Sequence, residues 1–249
     1  MKLGKLPPRK YLHPLMLSLV QGAALPTAPR RFGFGTYYTD WGALGNDQVG
    51  DCVVAGAAHE TMVWNKVVGH PVTFTDDDVI NDYSAVTGYV RGNPATDRGT
   101  DVSQMMDYRR TVGVRAADGS RHRIELAVRA PIGDWTTFTS CVYTFGAVGV
   151  GFRVTDDCIR EFRAGKAWTD TGNRWYEGGH YGVAVGSLGS SYEISLISWG
   201  RRQRATRGWF EAYVDELWVP LSRDVLRGTA GLHRVDWSRV EELAAGLLR

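Results

Sequence analysis

Three stretches in the first half of the chain carry apolar residues at helical spacing. Between Cys52 and Val68 the positions Val53, Ala57, Met62, Val63 and Val67 recur at roughly 3.6 residues, and Gly69 ends the run. In "TFTDDDVINDYSAVTG", Thr75 with Asp78 three residues on resembles a capping box with Asp in place of Glu, and Gly88 is the stop. The segment "GTDVSQMMDYRRTVGV" predicts a third helix, with Asp101 or Ser103 as N-cap and Gly113 beyond its end.

Beyond about residue 120 the period falls to two. "HRIELAVRA" alternates as a strand, Phe138 to Phe145 predicts a short helix, and "AVGVGFRV", "HYGVAVGSL" and "YEISLISWG" predict strands. "GWFEAYVDELWVPL" reads as a further strand or strand pair. Helices first and strands afterwards predict an α+β protein of two lobes, a helical lobe over about 44–120 and a β lobe over about 121–221. Residues 1–43 hold Pro7, Pro8, Pro14, Pro26 and Pro29 of the nine prolines, a composition that suits an extended arm packed along a body. In the tail, 222–249, "VDWSRVEELAAGLLR" predicts an amphipathic helix with Val240, Leu243 and Leu247 on one face. That helix suits docking on its own domain or on a neighbouring subunit.

Composition narrows the class more than the function. With 249 residues, 43% hydrophobic and 22% charged, the chain can bury a sizeable core. A net charge of +2 gives no general attraction to nucleic acid or to acidic membranes, and no apolar run reaches the length of a membrane helix. Three cysteines do not make a disulfide framework, which points to a reducing compartment. "YLHPLMLSLVQGAA" after Arg9 and Lys10 has the outline of a signal peptide, but Pro14 and Gln21 leave only Leu15 to Val20 as its apolar centre. It reads as an uncleaved arm, with cytoplasmic expression as the expectation. Asp76, Asp77 and Asp78 lack the alternating ligands and glycine of a calcium loop, "GAVGVGF" lacks the lysine of a phosphate loop, and zinc spacing is absent. No cofactor and no metal is therefore expected. "WGRRQRATRG" reads as a solvated basic loop.

The chemistry centres on "GNDQVGDCVVAGAAHE", where Cys52 opens a helix whose dipole favours a thiolate. Cys141 and Cys158 lie in apolar segments and read as packing residues. A thiolate nucleophile needs a base. His13, His70, His122 and His233 sit in the arm, past a helix stop, in a basic segment and in the tail, and all read as surface residues. His59 lies two helical turns beyond Cys52, about 10 Å away and out of reach of direct proton transfer, which suits a structural hydrogen bond instead. His180 opens a strand after "YEGG", whose glycines let a reactant approach the backbone.

Cys52 at a helix start with His180 128 residues later resembles the papain-like cysteine peptidases, whose spacing is about 130–150 residues. The likeness runs from Leu44 to Leu221. "FGAVGVGFRV" resembles the family's strand entering the second lobe, "CIREFRAGKAW" the bulge after it, and "GGHYGVAVG" the catalytic-histidine strand. "ISLISWG" followed by "GWFEAYVDELW" resembles the family's "SWG" segment and the strand beyond it. This implies a two-lobed papain-like fold, a helical lobe plus an antiparallel β-barrel-like lobe, with an extended N-terminal arm and a C-terminal helix. It also implies Cys52 as nucleophile, His180 as base, and Asn46 or Gln48 as oxyanion donor beside the Cys52 N–H. At the place of the family's orienting asparagine stands Ile197, which cannot accept the imidazole N–H. Ser195, Ser198 or a backbone carbonyl then takes that part, with Trp199 as the hydrophobic shield.

The order of "LGNDQVGDCVVAGAAH", "SWG" and "GWFEAYVDELW" also resembles a branch of papain-like proteins found with tailed bacteriophages and their bacterial relatives. The resemblance implies a virion-associated thiol hydrolase, a peptidase or amidase. The alternative is a papain-like fold with a decayed cleft, serving as a structural or decoration component of a phage particle. In either case the arm and tail helix would grasp phage structural subunits, with no membrane and no nucleic acid as partner.

Overall fold

Alternate residues of one long strand divide two hydrophobic cores. The strand is β6 (Gly178–Leu188), described with the rest of the chain from a computed structural model covering residues 1–8, 25–189 and 193–224, and Ser238, Glu242 and Ala245 of the tail. Tyr181, Val183 and Val185 face a core shared with the helices, while Ala184 faces a core enclosed by the sheet. The rest of the predicted tail helix lies outside the described residues.

The helical lobe holds α1 (Cys52–Val67), α2 (Asp76–Thr87) and α3 (Val102–Thr111). Thr75 accepts from the Asp78 N–H, and Gly88 closes α2 in the left-handed region at φ 77°. Asp101 is the N-cap of α3, accepting from the Ser103 and Gln104 N–H groups. Gly56 lets α1 settle against the sheet, since a Cβ there would lie 2.5 Å from Tyr181 Cδ1. A fully buried ion pair of Arg109 with Glu60, whose Oε1 also accepts from Tyr181 Oη at 2.9 Å, joins α3, α1 and β6.

The β lobe is built on one antiparallel sheet. Besides β6 it contains β4 (Leu126–Arg129), β5 (Val148–Val154), β7 (Glu193–Ser198), β8 (Arg201–Thr206) and β9 (Val214–Leu221). The strand order is β4–β9–β5–β6–β7–β8, and β1 (Arg31–Gly33) adds to the far end of β6. A separate hairpin pairs β2 (Val114–Arg115) with β3 (Arg121–His122). Helices α4 (Trp135–Phe145), α5 (Asp156–Arg163) and α6 (Arg207–Tyr213) pack on the sheet lobe.

Several expectations are corrected. "GWFEAY" is not a strand, although "VDELWVPL" after it is: Trp209, Phe210 and Tyr213 bury at helical spacing, and Thr206 caps the helix by accepting from the Trp209 N–H. The basic segment "RRQRAT" is not a loop but strand β8, with Gln203 and Ala205 inward and the arginines 201, 202 and 204 outward. "HRIELAVRA" divides between β3 and β4, and α4 starts at Trp135 because Asp134 caps it. "CIREF" forms part of α5, whose N-cap Thr155 accepts from the Cys158 N–H. His122 is not free on the surface, for its Nδ1 lies 2.6 Å from Asp224 Oδ2.

Candidate active site

The loop before α1 fixes where the helix begins. The Gly50 N–H donates to both oxygens of Asp97 at 3.0 and 3.1 Å, and Tyr83 Oη donates to Asp97 Oδ1 at 2.6 Å. Asp51 holds the cap position without capping, and burial pushes its carboxyl well above the usual carboxylate range. Cys52 follows as the first helical residue, 2% exposed. Burial pushes its thiol up to about 12, outweighing the backbone N–H groups of Tyr181 and Gly4, which favour the thiolate.

His180, fully buried on β6, neighbours that same Tyr181 backbone. Burial lowers its pKa to about 3, with a smaller push from the α-amino group of the chain. Its Nε2 lies 2.9 Å from Ser198 Oγ, while its buried Nδ1 has no hydrogen-bond partner among the described residues. The Trp199 ring stacks on the imidazole at 4.0 Å and 18°, and Phe152 meets its edge at 5.4 Å. The closed site therefore holds a neutral thiol and a neutral imidazole.

A strand of the chain's own N-terminus closes it. Lys5 bridges antiparallel to Gly179, the residue before His180, and parallel to Thr100 on the opposite wall. The Gly4 and Lys5 N–H groups donate to the Gly179 carbonyl at 3.2 and 3.1 Å; the Thr100 N–H donates to the Gly4 carbonyl at 2.6 Å, and Leu6 N–H to Thr100 O at 3.0 Å. Further back, Lys2 N–H donates to the Asn46 carbonyl at 2.9 Å, and Trp199 Nε1 donates to the Lys2 carbonyl at 2.9 Å. Glycines make this fit possible. A Cβ on Gly4 would stand 1.8 Å from the Gly50 oxygen, one on Gly99 2.2 Å from the Gly4 oxygen, and one on Gly179 2.3 Å from the Lys5 oxygen.

The sequence-predicted residues divide around this strap. Cys52, His180, Asn46, Ser198 and Trp199 all border it or each other. Asn46 is buried, its Nδ2 donating to the Val49 carbonyl at 3.1 Å, whereas Gln48 is exposed and reaches Asp76 Oδ2 at 3.4 Å. Ser195 is buried, its hydroxyl without a hydrogen-bond partner among the described residues, and pairs in register with Gly186, far along β6 from His180. Ile197 packs into the core shared with the helices, on the opposite face of β7 from Ser198. His59 is buried, its Nε2 3.1 and 3.0 Å from the Trp41 and Gly42 carbonyls, and burial lowers its pKa to about 4. The strap residues were not legible as site residues; the only local signal was a glycine and lysine within a proline-rich arm.

A scan against protein-family models finds no match for the sequence, and a search of curated proteins finds none. Solved structures do match. Xylellain, a cysteine protease from Xylella fastidiosa, is similar with a TM-score of 0.70 at 13% identity, over 88% of this chain and 96% of that one. The Carica candamarcensis cysteine protease CMS1MS2 gives 0.58 at 14%, over 78% and 99%. Digestive procathepsin L2 from Tenebrio molitor larval midgut gives 0.58 at 13%, over 80% and 70%. The fold shared with these structures is the papain-like cysteine protease fold.

Proposed function

We propose that this papain-like protein is a latent thiol hydrolase, a peptidase or amidase, with Cys52 as nucleophile and His180 as its base. The observation that carries the reading is the state of the imidazole. Nε2 is occupied by Ser198, Nδ1 is left with a free position, and the neighbouring Tyr181 N–H favours a Cys52 thiolate. With Nε2–H donating to Ser198 Oγ, Nδ1 presents the lone pair that a base requires.

In this reading the strap must leave first, because burial holds both groups neutral. Rehydration lowers the thiol and raises the imidazole, so the proton passes from Cys52 Sγ to His180 Nδ1. The sulfur attacks the acyl carbon and forms a C–S bond, and the carbonyl oxygen takes the negative charge near the Cys52 N–H. Asn46 Nδ2 keeps one of its two N–H groups on the Val49 carbonyl and has the other to offer that oxyanion site. The C–N bond breaks as His180 returns its proton to the leaving nitrogen, and water then hydrolyses the thioester with the imidazole again as base.

The test is turnover of a fluorogenic peptide library by the full chain carrying Lys5→Glu, which sets a carboxylate against Asp215 and Glu216. Cleavage that disappears in Cys52→Ala and in His180→Ala supports the reading. Cleavage that survives either change, or none at all from a folded protein with an accessible thiol, ends it. In the latter case the second reading stands, a papain-like scaffold whose closed cleft is structural. A place for that scaffold, or for the hydrolase, inside a phage particle rests on the motif resemblance alone.

A further inference from the structure

A hydroxyl, an imidazole and a carboxylate follow one another in series near the end of α1, remote from the cleft. Asn65, which holds the carboxylate there, stands about 20 Å along the helix from Cys52. Ser120 and His122 flank Arg121 where β3 begins, and two residues apart on extended chain their side chains point the same way. Ser120 Oγ lies 3.1 Å from His122 Nε2, and His122 Nδ1 lies 2.6 Å from Asp224 Oδ2.

Each member is held from outside the series. Asn65 Nδ2 donates to the same Asp224 oxygen at 3.1 Å and to the Thr61 carbonyl at 3.0 Å. Ser222 Oγ donates to the Arg123 carbonyl at 2.9 Å and the Arg223 N–H to Glu125 Oε2 at 3.0 Å, which lays residues 222–224 along the chain that follows His122. The Ser120 N–H donates to Asp118 Oδ1 at 2.8 Å and so fixes the place of its hydroxyl. Asp224 and Asn65 are buried and the His122 side chain is 9% exposed, whereas Ser120 is exposed. It faces an open basin of about 510 Å³, partly lined by Gly69, Pro71 and Val72, a size that admits a small ligand.

A tie between α1 and the segment after β9 needs only Asn65, Asp224 and His122 Nδ1. It does not need a hydroxyl on the far ring nitrogen. With Nδ1–H donating to Asp224, the neutral imidazole turns its lone pair to Ser120, and the carboxylate steadies the imidazolium that forms when the ring takes a proton. The hydroxyl has a second acceptor in Asp118 Oδ1 at 2.6 Å, so its rotor sets whether the proton faces Asp118 or the base.

We propose that Ser120, His122 and Asp224 form a second nucleophilic site, which hydrolyses small carboxylic esters. Ser120 and His122 are its catalytic residues, and Asp224 positions the imidazole. His122 Nε2 takes the proton of Ser120 Oγ as that oxygen bonds to the ester carbon; the C–O bond to the alcohol breaks, and the alcohol oxygen takes the proton. Water then bonds to the acyl carbon and gives a proton to Nε2, which returns it to Oγ as the seryl ester breaks and the acid leaves. The site shares no residue with the cleft, so it holds or fails independently of the Cys52 reading.

The test uses the full chain carrying Cys52→Ala. It is treated with an alkyl fluorophosphonate, which exchanges its P–F bond for a P–O bond to an activated serine, and assayed separately with p-nitrophenyl butyrate. One label per chain should map to Ser120 by mass spectrometry. Ser120→Ala should abolish labelling and ester turnover, and His122→Gln should slow both at least about 100-fold. Asp224→Asn should lower kcat at least about tenfold and leave KM within about threefold, a split that loosened packing alone would not produce. If Asp224→Asn does not fold, the two hairpin variants carry the decision. No label at Ser120, equal labelling in His122→Gln, or ester turnover that survives Ser120→Ala overturns the proposal.

Discussion

The rings of His180 and Trp199 lie face to face at 4.0 Å, and the same indole donates through Nε1 to the carbonyl of Lys2 at 2.9 Å. One side chain thus shields the imidazole and latches the strap that closes the site. Its backbone takes a left-handed φ of 45°, uncommon for a bulky residue, which aims the ring back over β6.

The two parts of Trp199 can be separated. Trp199→Phe keeps an aromatic face and removes the donor to Lys2. Losing about 1 kcal/mol of hydrogen bonding should raise the iodoacetamide alkylation rate of Cys52 at pH 7.5 about fivefold. An unchanged rate, read by mass spectrometry with Cys52→Ala as control, would show that the latch does not hold the strap.

Gly4→Val should act more strongly. Its Cβ would stand 1.8 Å from the Gly50 carbonyl oxygen, a backbone atom that cannot step aside. The strap then cannot seat, and Cys52 alkylation should accelerate by at least about tenfold while the urea unfolding transition remains cooperative. Protection equal to wild type would mean that Cys52 is shielded by its own lobe.

His59 and His180 make the fold acid-sensitive. Burial lowers them to about 4 and about 3, so below pH 6.5 the unfolded chain binds protons that the folded chain does not. Their contribution is complete above pH 6.5 and is lost as pH falls toward those values, by up to about 1.4 kcal/mol per pH unit for each histidine. Burial pushes Asp51 and Glu60 upward, which opposes this slope, so the informative quantity is a difference. Urea midpoints between pH 7 and 5 should fall less steeply in His59→Gln than in wild type; parallel slopes would refute the assignment.

Ser198→Ala removes the partner of His180 Nε2 and should lower turnover of the strap-released protein by at least about tenfold. Ser195→Ala removes a hydroxyl with no partner among the described residues and should leave turnover within about twofold. Restoring the family's residue by Ile197→Asn should not help. That side chain points into the helix-side core, and the substitution should cost about 3 kcal/mol or more of stability without touching His180. A gain in turnover from Ile197→Asn would show that β7 can shift its register to bring residue 197 to the imidazole.

Local signals in the sequence were read where they decide structure locally. Thr75, Asp101 and Gly88 cap helices by bonds within three or four residues, and α2 and α3 fall where those residues place them. Strands β5, β6 and β7 were legible from apolar content over six to eleven residues. The segment "GWFEAY" suits a strand as well as a helix because an aromatic-rich run of six residues fits either period, and only the Thr206 cap, which precedes the segment, decides between them. For His180 the sequence leaves the orienting group open among Ser195, Ser198 and a backbone carbonyl; period-two alternation puts Ser198, not its neighbour Ile197, on the imidazole's face. The strap was beyond reach for a different reason. Lys5 pairs with Gly179 and with Asp215 and Glu216, partners that nothing near residue 5 announces.

Because the strap belongs to the same chain as the cleft it fills, its hold does not depend on protein concentration. Dilution cannot release it, and a covalently tethered segment competes at an effective concentration that reaches on the order of millimolar for short flexible tethers. A weak peptide in trans would lose to it. A single backbone cut beyond Leu6 changes the arithmetic: the same hydrogen bonds and the same buried lysine would then hold a separate short peptide, which leaves as the solution is diluted.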